Sequence, residues 1–334
     1  MTPARDDWDR TFSVVVEMEN AVTICWSEVG RTLRLLADQI AQRADTGPRR
    51  PQVLLVHPGP ESESAQLRVA ACAAAPRLEK VARLEVLSVP QGRYYELKNA
   101  GIARADGEVV VLLDSDTLPE PGWLDTLLAP FDRPEVVVVS GQTYLEHNDF
   151  VSRMMALIWL FPLRAQDEQA VRRRALNANN CALRVREVGR EPFPIDNGFK
   201  VACTKFMRRL EARGIELVRV PALAAHAPLR GWRFLLWRAV VTGRDADRKF
   251  ADLKSPARGR RLLAAAGFAL RMGSRAVRRV LAQYRHVAMP WYQVPLAASL
   301  GAVFYLLAGF SQTLRAMGLT PERPESIPAY AEHH

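Results

Sequence analysis

Asp114 and Asp116 are the residues whose type and position best suit chemistry. They follow the apolar run 109–113 directly, and Pro119 and Pro121 come soon after them, so regular structure is predicted to stop there. In an open α/β sheet, ligands bind in the crevice beyond the carboxyl ends of the strands. Two carboxylates at such a point predict an oxygen site for a hard divalent cation that carries a phosphorylated substrate.

A plain turn is the alternative interpretation of Asp-Ser-Asp, because Asp side chains bond their own backbone in turns and D-x-D is common by chance. The flanking segments favour the metal site. The upstream segment 98–108 reads KNAGIARADGE, and the downstream segment 119–124 reads PEPGWL. Together they resemble the family 2 glycosyltransferases, in which an N-x-G-x-x-x-A-x-G-[DE] helix leads into a strand that ends in D-x-D and then P-x-P-G-W-L.

This resemblance implies an α/β protein with the GT-A (Rossmann-like) fold, a mostly parallel sheet flanked by helices. It also implies transfer of a sugar from a nucleotide-sugar donor, with inversion, and dependence on Mn²⁺ or Mg²⁺. Asp116 is expected to contact the metal, and Asp114 the ribose or the metal. Lys98 and Asn99 are expected to contact the donor.

Two later segments extend the resemblance. A histidine follows the last strand of the family's sheet, and His226 matches it as an expected metal or diphosphate ligand. The segment Gly243-Arg244-Asp245 resembles the family's post-catalytic segment, in which Arg approaches the diphosphate or the acceptor. Interfacial anchoring by Trp and Arg is the competing interpretation of this region, and the two are compatible.

The second predicted strand departs from the family. In the family, this strand usually ends in an aspartate pair that binds the base. In this chain the strand runs into His57-Pro58-Gly59-Pro60, which contains no aspartate. Glu17, Glu19 or His57 is expected to supply that contact instead. Uridine is the expected base only because it is common in the family.

A second departure concerns the general base, which an inverting transferase needs to remove the acceptor's proton. The family carries an acidic pair about eleven residues before the glycine that ends a helix, here Gly214, and counting back reaches Ala202 and Cys203. Neither is acidic. The nearest upstream carboxylate, Asp196, is the candidate base, and turn formation is its alternative role.

Strands that alternate with helices must position these residues. Strands are predicted at 12–17, 52–56, 84–89, 109–113, 135–140, 176–184 and 215–220. Helices are predicted at 31–43, around 64–75, across Asn99 and Gly101, from about Gly122, and at 201–213 with Gly214 as the C-cap.

Composition limits the classes of protein. The 334 residues carry a net charge of +10, and ten basic residues fall between Leu253 and Pro321, a span without Asp or Glu. No nucleic-acid-binding motif accompanies this block, so nucleic acid is not an expected partner. The four cysteines show no C-x-x-C pairing and suit a reducing compartment. The polar start of the chain does not predict a signal peptide.

Two regions are expected: a catalytic domain at residues 1–250 and a C-terminal appendage at 251–334. The appendage is basic and amphipathic over 258–285, and then 287–314 carries no charge. That run is long enough for a transmembrane helix, and the arginines before it would place the catalytic domain on the cytoplasmic face of the membrane. A buried hairpin and a flat interfacial helix are the alternatives.

Metal-dependent transfer to a lipid-linked or saccharide acceptor at a membrane is therefore the leading hypothesis. A non-catalytic relative that binds a nucleotide or glycan at the membrane is the alternative, because the base-binding motif is missing. Nucleotidyl transfer ranks last, since no Gly-rich loop follows the first strand.

Overall fold

The computed structural model describes residues 11–44, 50–159, 161–164, 176–195, 199–227, 232–254 and 257–320. The chain divides into two compact units. The first comprises residues 1–143, 164–195 and 203–227, and the second comprises residues 144–163, 196–202 and 228–334.

Eight strands form one mixed sheet in the order β3-β2-β1-β4-β7-β6-β8-β5. Their bounds are β1 Phe12–Glu17, β2 Gln52–His57, β3 Arg83–Ser88, β4 Val109–Asp114, β5 Thr117–Pro119, β6 Val138–Leu145, β7 Asn180–Arg184 and β8 Leu217–His226. Strands β3, β2, β1 and β4 pair in parallel, as predicted. Strand β7 is antiparallel to both β4 and β6, and β5 is antiparallel to β8, so the sheet is mixed.

Eleven α-helices are found in the described part of the chain. They are α1 Trp26–Ala44, α2 Ser64–Ala74, α3 Leu78–Val81, α4 Tyr94–Arg104, α5 Trp123–Leu128, α6 Phe150–Ile158, α7 Val185–Val188, α8 Phe199–Ala212, α9 Trp232–Lys254, α10 Arg258–Gln283 and α11 Val294–Ala316. Helix α9 belongs to the second unit and runs through residue 250, where the sequence places a domain boundary. The expected boundary between a catalytic domain and an appendage stays a prediction.

The core of the first unit lies against the central strands. Strands β1, β2 and β4 are buried along their whole lengths, which suits strands covered on both faces. Leu33, Leu36 and Ile40 form the apolar stripe of α1 in this core. That stripe was predicted from its helical spacing, although the helix begins at Trp26 rather than at Arg31.

The second unit has a separate core built from helices α6, α9, α10 and α11. Met155 and Leu157 of α6 lie in it with Ala276 of α10 and Ala308 of α11. In the described residues one helix, Trp291–Ala316 including a short 3₁₀ turn, is long and apolar enough to cross a membrane by length and composition.

Two strand predictions near the aspartates need correction. Regular structure does not stop after Asp116, because strand β5 follows it. Pro119 is tolerated in β5 because this strand lies at the edge of the sheet, where the backbone N–H that proline lacks has no partner strand to bond. Strand β8 continues through Pro221 to His226 instead of ending at Val220. His226 is therefore the last residue of the strand, since its end pairs with β5.

Candidate functional site

The expected carboxylates converge at the ends of two parallel strands. Strands β1 and β4 pair in a register that puts Glu17 opposite Asp114. The backbone N–H of Ser115 donates to the carbonyl of Glu17 at 2.9 Å, which fixes the start of the turn that carries Asp116. The side chains of Glu17, Asp114 and Asp116 are all buried. Three carboxylates buried together are costly unless cations or hydrogen bonds compensate them.

Lys98 supplies the first compensating charge. Its Nζ lies 2.5 Å from Oδ1 of Asp114, and its side chain is fully buried. The hydroxyl of Tyr94, one helical turn earlier on α4, donates to both oxygens of Asp114 at 3.1 and 2.9 Å. The amide of Asn20 adds a contact at 3.3 Å. Asp114 is thus already held by three side chains from the described structure.

Glu17 and Glu19 hold the segment that follows β1. Oε1 of Glu17 accepts the backbone N–H of Glu19, while its Oε2 is buried with no hydrogen-bond partner among the described residues. Burial raises the pKa of Glu17 well above its ordinary value; the charge of Asp114 adds to this effect and Lys98 opposes it. Burial also raises the pKa of Glu19, whose carboxylate accepts the N–H of Tyr94 at 2.7 Å.

Asp116 and His226 meet because β5 follows one of them and β8 ends at the other. Thr117 lies opposite His226 in the antiparallel pairing, and the N–H of Ala227 donates to the carbonyl of Asp116 at 2.7 Å. Nε2 of His226 lies 3.3 Å from Oδ2 of Asp116, and both side chains are buried. The fold thus brings together the two residues that the sequence proposes as metal ligands, and their role as ligands stays a prediction.

The chemistry of this pair fits a divalent cation. Nδ1 of His226 lies 2.9 Å from the carbonyl of Ala227; since a carbonyl only accepts, Nδ1 carries a proton, and Nε2, which faces Asp116, is the ring nitrogen that a metal ion would use. In an octahedral Mg²⁺ site with bonds of about 2.1 Å, adjacent ligand atoms lie about 3 Å apart. Burial raises the pKa of the Asp116 carboxyl, and the electrostatic interaction with His226 acts in the opposite direction.

The protein ligands of such a site are few. Within the described residues, no group of three or more His, Cys, Asp or Glu side chains is arranged to hold a metal ion. Asp114 is turned towards Lys98 and Tyr94 instead. One carboxylate and one imidazole are compatible with Mg²⁺ or Mn²⁺ if substrate phosphates and water complete the coordination.

Asn99 and His57 have structural partners of their own. The amide of Asn99 donates to the carbonyl of Phe193 at 2.7 Å and accepts the N–H of the same residue at 3.1 Å. This pair of bonds ties the loop at Phe193 to α4. Nε2 of His57 lies 2.9 Å from the hydroxyl of Ser64 at the start of α2. Contact of either side chain with a donor stays a prediction.

Arg244 and Asp196 are not brought into this cluster by the described structure. Arg244 lies on α9 in the second unit. Burial lowers the pKa of the Arg315 guanidinium, and the positive charge of Arg244 adds to this effect. Asp196, the expected general base, lies outside the described residues. The roles expected of both residues stay predictions.

The sequence did not identify Tyr94, Asn20 or Trp123 as parts of the site. Tyr94 and Lys98 are four residues apart on a helix, a spacing that puts side chains on one face, and this was the available signal. Nε1 of Trp123, from the P-G-W-L motif, donates to Asn180 on β7 at 2.8 Å. Gly122, the residue before helix α5, has a φ of 76°, a backbone conformation that favours glycine.

Cys203 occupies the position at which the resemblance places an acidic residue. Its Sγ lies 3.1 Å from the hydroxyl of Tyr95, the neighbour of Tyr94 on α4. The charges of Lys98 and Asp114 both act on the thiol, so residue 203 lies within electrostatic reach of the cluster, and burial raises its pKa.

Comparison with known proteins adds independent findings. The family model described as Glycosyl transferase family 2 matches residues 13–188, more than half of the chain. A search of curated proteins gave no match.

Solved structures with a similar fold include a mannosyltransferase from Pyrobaculum calidifontis in complex with GDP-Man and Mn²⁺. It is 17% identical, with 93% of this chain and 87% of that chain covered and a TM-score of 0.52. Glucosyl-3-phosphoglycerate synthase from Mycobacterium tuberculosis, solved with Mn²⁺, UDP and glucosyl-3-phosphoglycerate, is 18% identical, with 70% of this chain and 78% of that chain covered and a TM-score of 0.43. At such identities the likeness concerns the fold alone.

Proposed function

The chain belongs to glycosyl transferase family 2 and is a glycosyltransferase with the GT-A fold, and from this premise we propose that Asp116 and His226 hold the divalent cation of a nucleotide-sugar donor site. Their 3.3 Å approach at the end of β4 is the observation that carries the proposal. Residues 1–250 carry the transfer reaction in this account, and residues 251–334 associate the enzyme with a membrane.

The bond that breaks joins the anomeric carbon to a diphosphate oxygen, so negative charge grows on the leaving group. A bound Mn²⁺ or Mg²⁺ would neutralise that charge more in the transition state than in the ground state. Asp116 and His226 would hold it, and both ions accept this combination of ligands. The mannosyltransferase of similar fold holds GDP-Man and Mn²⁺, so the fold accommodates both groups.

The rest of the cluster positions the donor in this proposal. Lys98 is a buried cation beside Asp114, and Tyr94 restricts the orientation of that carboxylate with two hydrogen bonds. These bonds fix the orientation of Asp114, and its contact with the ribose or the metal is proposed from the family pattern. Glu17 and Glu19 stand at the end of β1, where they orient the segment that would face the base. Arg244 is proposed as a diphosphate contact from the family pattern alone.

Asp196 is proposed to take the proton of the acceptor hydroxyl, which would make the transfer inverting. The acceptor is proposed to be lipid-linked or a saccharide, because the same chain carries a basic and apolar C-terminal region. Support for Asp196 comes from Cys203, since the position at which the family has a carboxylate carries a thiol with a raised pKa. In this proposal, a carboxylate at another position, Asp196, acts as the general base in place of residue 203.

A screen of nucleotide sugars by thermal shift, with and without Mn²⁺, tests the donor site. We expect one donor to raise the melting temperature only when the metal is present, because a ligand that binds the folded state stabilises it. Asp116→Asn should lose this shift while its melting temperature without ligand stays measurable. Failure of every nucleotide sugar to bind or to be hydrolysed would overturn the proposal.

A non-catalytic role is the second candidate, and the thiol at position 203 is the observation that favours it. A binding protein would show the metal-dependent shift without any transfer or hydrolysis. Asp196→Asn separates the two: it should abolish turnover in an enzyme, with donor binding retained, and should change nothing in a binding protein.

A further inference from the structure

Helix α11 exposes a continuous apolar face. Leu296, Val303, Leu306 and Phe310 recur at spacings of three, four and seven residues, which places them along one side of the helix. All four are exposed, and the large side chain of Phe310 is 62% exposed. Exposed apolar surface of this extent on one helix indicates a partner rather than chance scatter.

The opposite face of α11 is packed against α9. A Cβ on Gly243 would lie 1.9 Å from the carbonyl oxygen of Ala308, so the two backbones approach closely. The hydroxyl of Ser311 donates to the carbonyl of Val240 at 2.8 Å. Helix α11 therefore packs against α9 on one side, while the face that carries Leu306 and Phe310 stays exposed.

Helix α10 runs antiparallel beside α11 along its length. Arg258, at the start of α10, donates to the carbonyl of Met317 beyond the end of α11 at 2.5 Å. Near the middle, a Cβ on Gly309 would lie 2.5 Å from the Cβ of Ala269. Contact of Gly301 with Ala276 continues the same interface.

The solvent-facing side of α10 combines apolar and basic residues. Leu263, Leu270 and Leu281 are exposed and are spaced by seven and eleven residues, so they lie on one line. Exposed arginines border that line at positions 260, 271, 275, 278 and 285. No acidic residue occurs between Leu253 and Pro321 to neutralise them.

Two aromatic residues mark the start of α11. Trp291 is 76% exposed and Tyr292 is 65% exposed. Amphipathic rings of this kind are enriched at the headgroup level of membranes. Neither ring belongs to the apolar core of the second unit, so both are exposed where they can contact lipid.

We propose that the α10–α11 hairpin lies in the plane of an anionic lipid surface, with the exposed face of α11 inserted and the arginines of α10 at the phosphate level. A spanning position is unfavourable because α10 accompanies α11, and Arg271, Arg275 and Arg278 would enter the hydrocarbon with it. An interfacial position satisfies both groups, since long basic side chains extend to the phosphates while apolar side chains enter the acyl boundary. The inference rests on the membrane association proposed above and is independent of the transfer reaction.

Vesicle flotation of the full chain tests this orientation. The probes are vesicles of phosphatidylcholine alone and of phosphatidylcholine mixed with phosphatidylglycerol, each at low and high salt. We expect binding to the anionic vesicles, weakening with salt, and release by alkaline carbonate, because an in-plane helix is a peripheral attachment. The triple variant Arg271→Gln, Arg275→Gln, Arg278→Gln should lose about a hundredfold in affinity for the anionic vesicles.

A matched pair of apolar variants isolates the inserted face. Leu306→Ser with Phe310→Ser should abolish flotation, whereas Val69→Ser, at a valine on α2 that is also exposed, should leave it unchanged. The donor-induced thermal shift is measured on each variant. If the apolar variant loses flotation but keeps the donor-induced thermal shift, the proposed orientation of the hairpin is supported. If no variant and not even the wild type shows that thermal shift, only the proposed donor site is contradicted.

Three outcomes would overturn the inference. Resistance of the wild type to carbonate would show a spanning helix. Equal binding to neutral and anionic vesicles would remove the role of the arginines. A wild-type dimer that does not float would show that a second copy covers the apolar face.

Discussion

The candidate partner sites of the two compact units depart from the usual distribution of side chains in opposite directions. The first buries charge: Glu17, Lys98, Asp114 and Asp116 all lie inside, where charged residues are rare unless they are paired. The second exposes apolar surface, including Leu306 on α11.

The difference supports a different kind of partner for each unit, as proposed above. Charge that is buried at the ends of strands suits a small, highly charged ligand that enters the protein. Apolar surface that is bordered by arginines suits a large partner that stays outside.

The largest predicted effect on stability concerns the buried ion pair of the first unit. Lys98→Met should lower the free energy of unfolding by about 3–5 kcal/mol, because Asp114 is left buried without its cation. Urea denaturation measures the change. The double variant Lys98→Met, Asp114→Asn is the control and should recover much of the loss. A loss below about 1 kcal/mol, as for a surface pair, would mean that this charge is effectively solvated.

A packing change in the second unit should have an intermediate effect. Gly309→Ala should cost about 1–3 kcal/mol, because its Cβ would lie 2.5 Å from that of Ala269 and the hairpin must separate. Thermal unfolding gives the measurement.

Gly267→Ala is the matched control for this packing change. Gly267 is on α10 with no atom within 4 Å of its added Cβ, so the change should stabilise the helix by about 0.5–1 kcal/mol. Equal effects of the two substitutions would contradict the close approach of α10 and α11.

At acidic pH, where this carboxyl is protonated in both states, the smallest effect is expected from replacing Glu17. The folded pKa of Glu17 is raised by burial, so the unfolded chain loses this proton at a lower pH than the folded chain does. Wild-type stability should therefore fall as the pH rises from the unfolded pKa, about 4.3, through the raised folded pKa. Glu17→Gln should remove that slope and stabilise the protein at neutral pH. A variant with an unchanged slope would show that Glu17 ionises freely in the fold.

The sequence predicted the first four strands because their apolar runs are continuous and end at turn residues. The family pattern alone linked Asp116 with His226, which do lie together, and their joint role as metal ligands stays a prediction. Strand β5 was not foreseen, since three residues that include Pro119 give no strand signal and their partner lies over a hundred residues later. Tertiary pairing, not local preference, forms that strand.

The second unit shows the same limit on a larger scale. The charge-free run 287–314 predicted a helix of membrane length and left its placement open. Only packing reveals that Ala308 faces α9 while Phe310 faces outward. A hydropathy pattern counts apolar residues and does not tell which of them a neighbouring helix already covers.

Titration with Mn²⁺ followed by electron paramagnetic resonance, in the presence of a nucleoside diphosphate, tests the central claim about Asp116 and His226. The wild type and Asp38→Asn, a control at an exposed aspartate paired with Arg77, should both bind the ion. Asp116→Asn should lose that binding, with donor turnover falling about a thousandfold or more, since a bound metal supplies several kcal/mol of transition-state stabilisation. Retention of Mn²⁺ binding by a folded Asp116→Asn variant would contradict the claim and place the metal elsewhere.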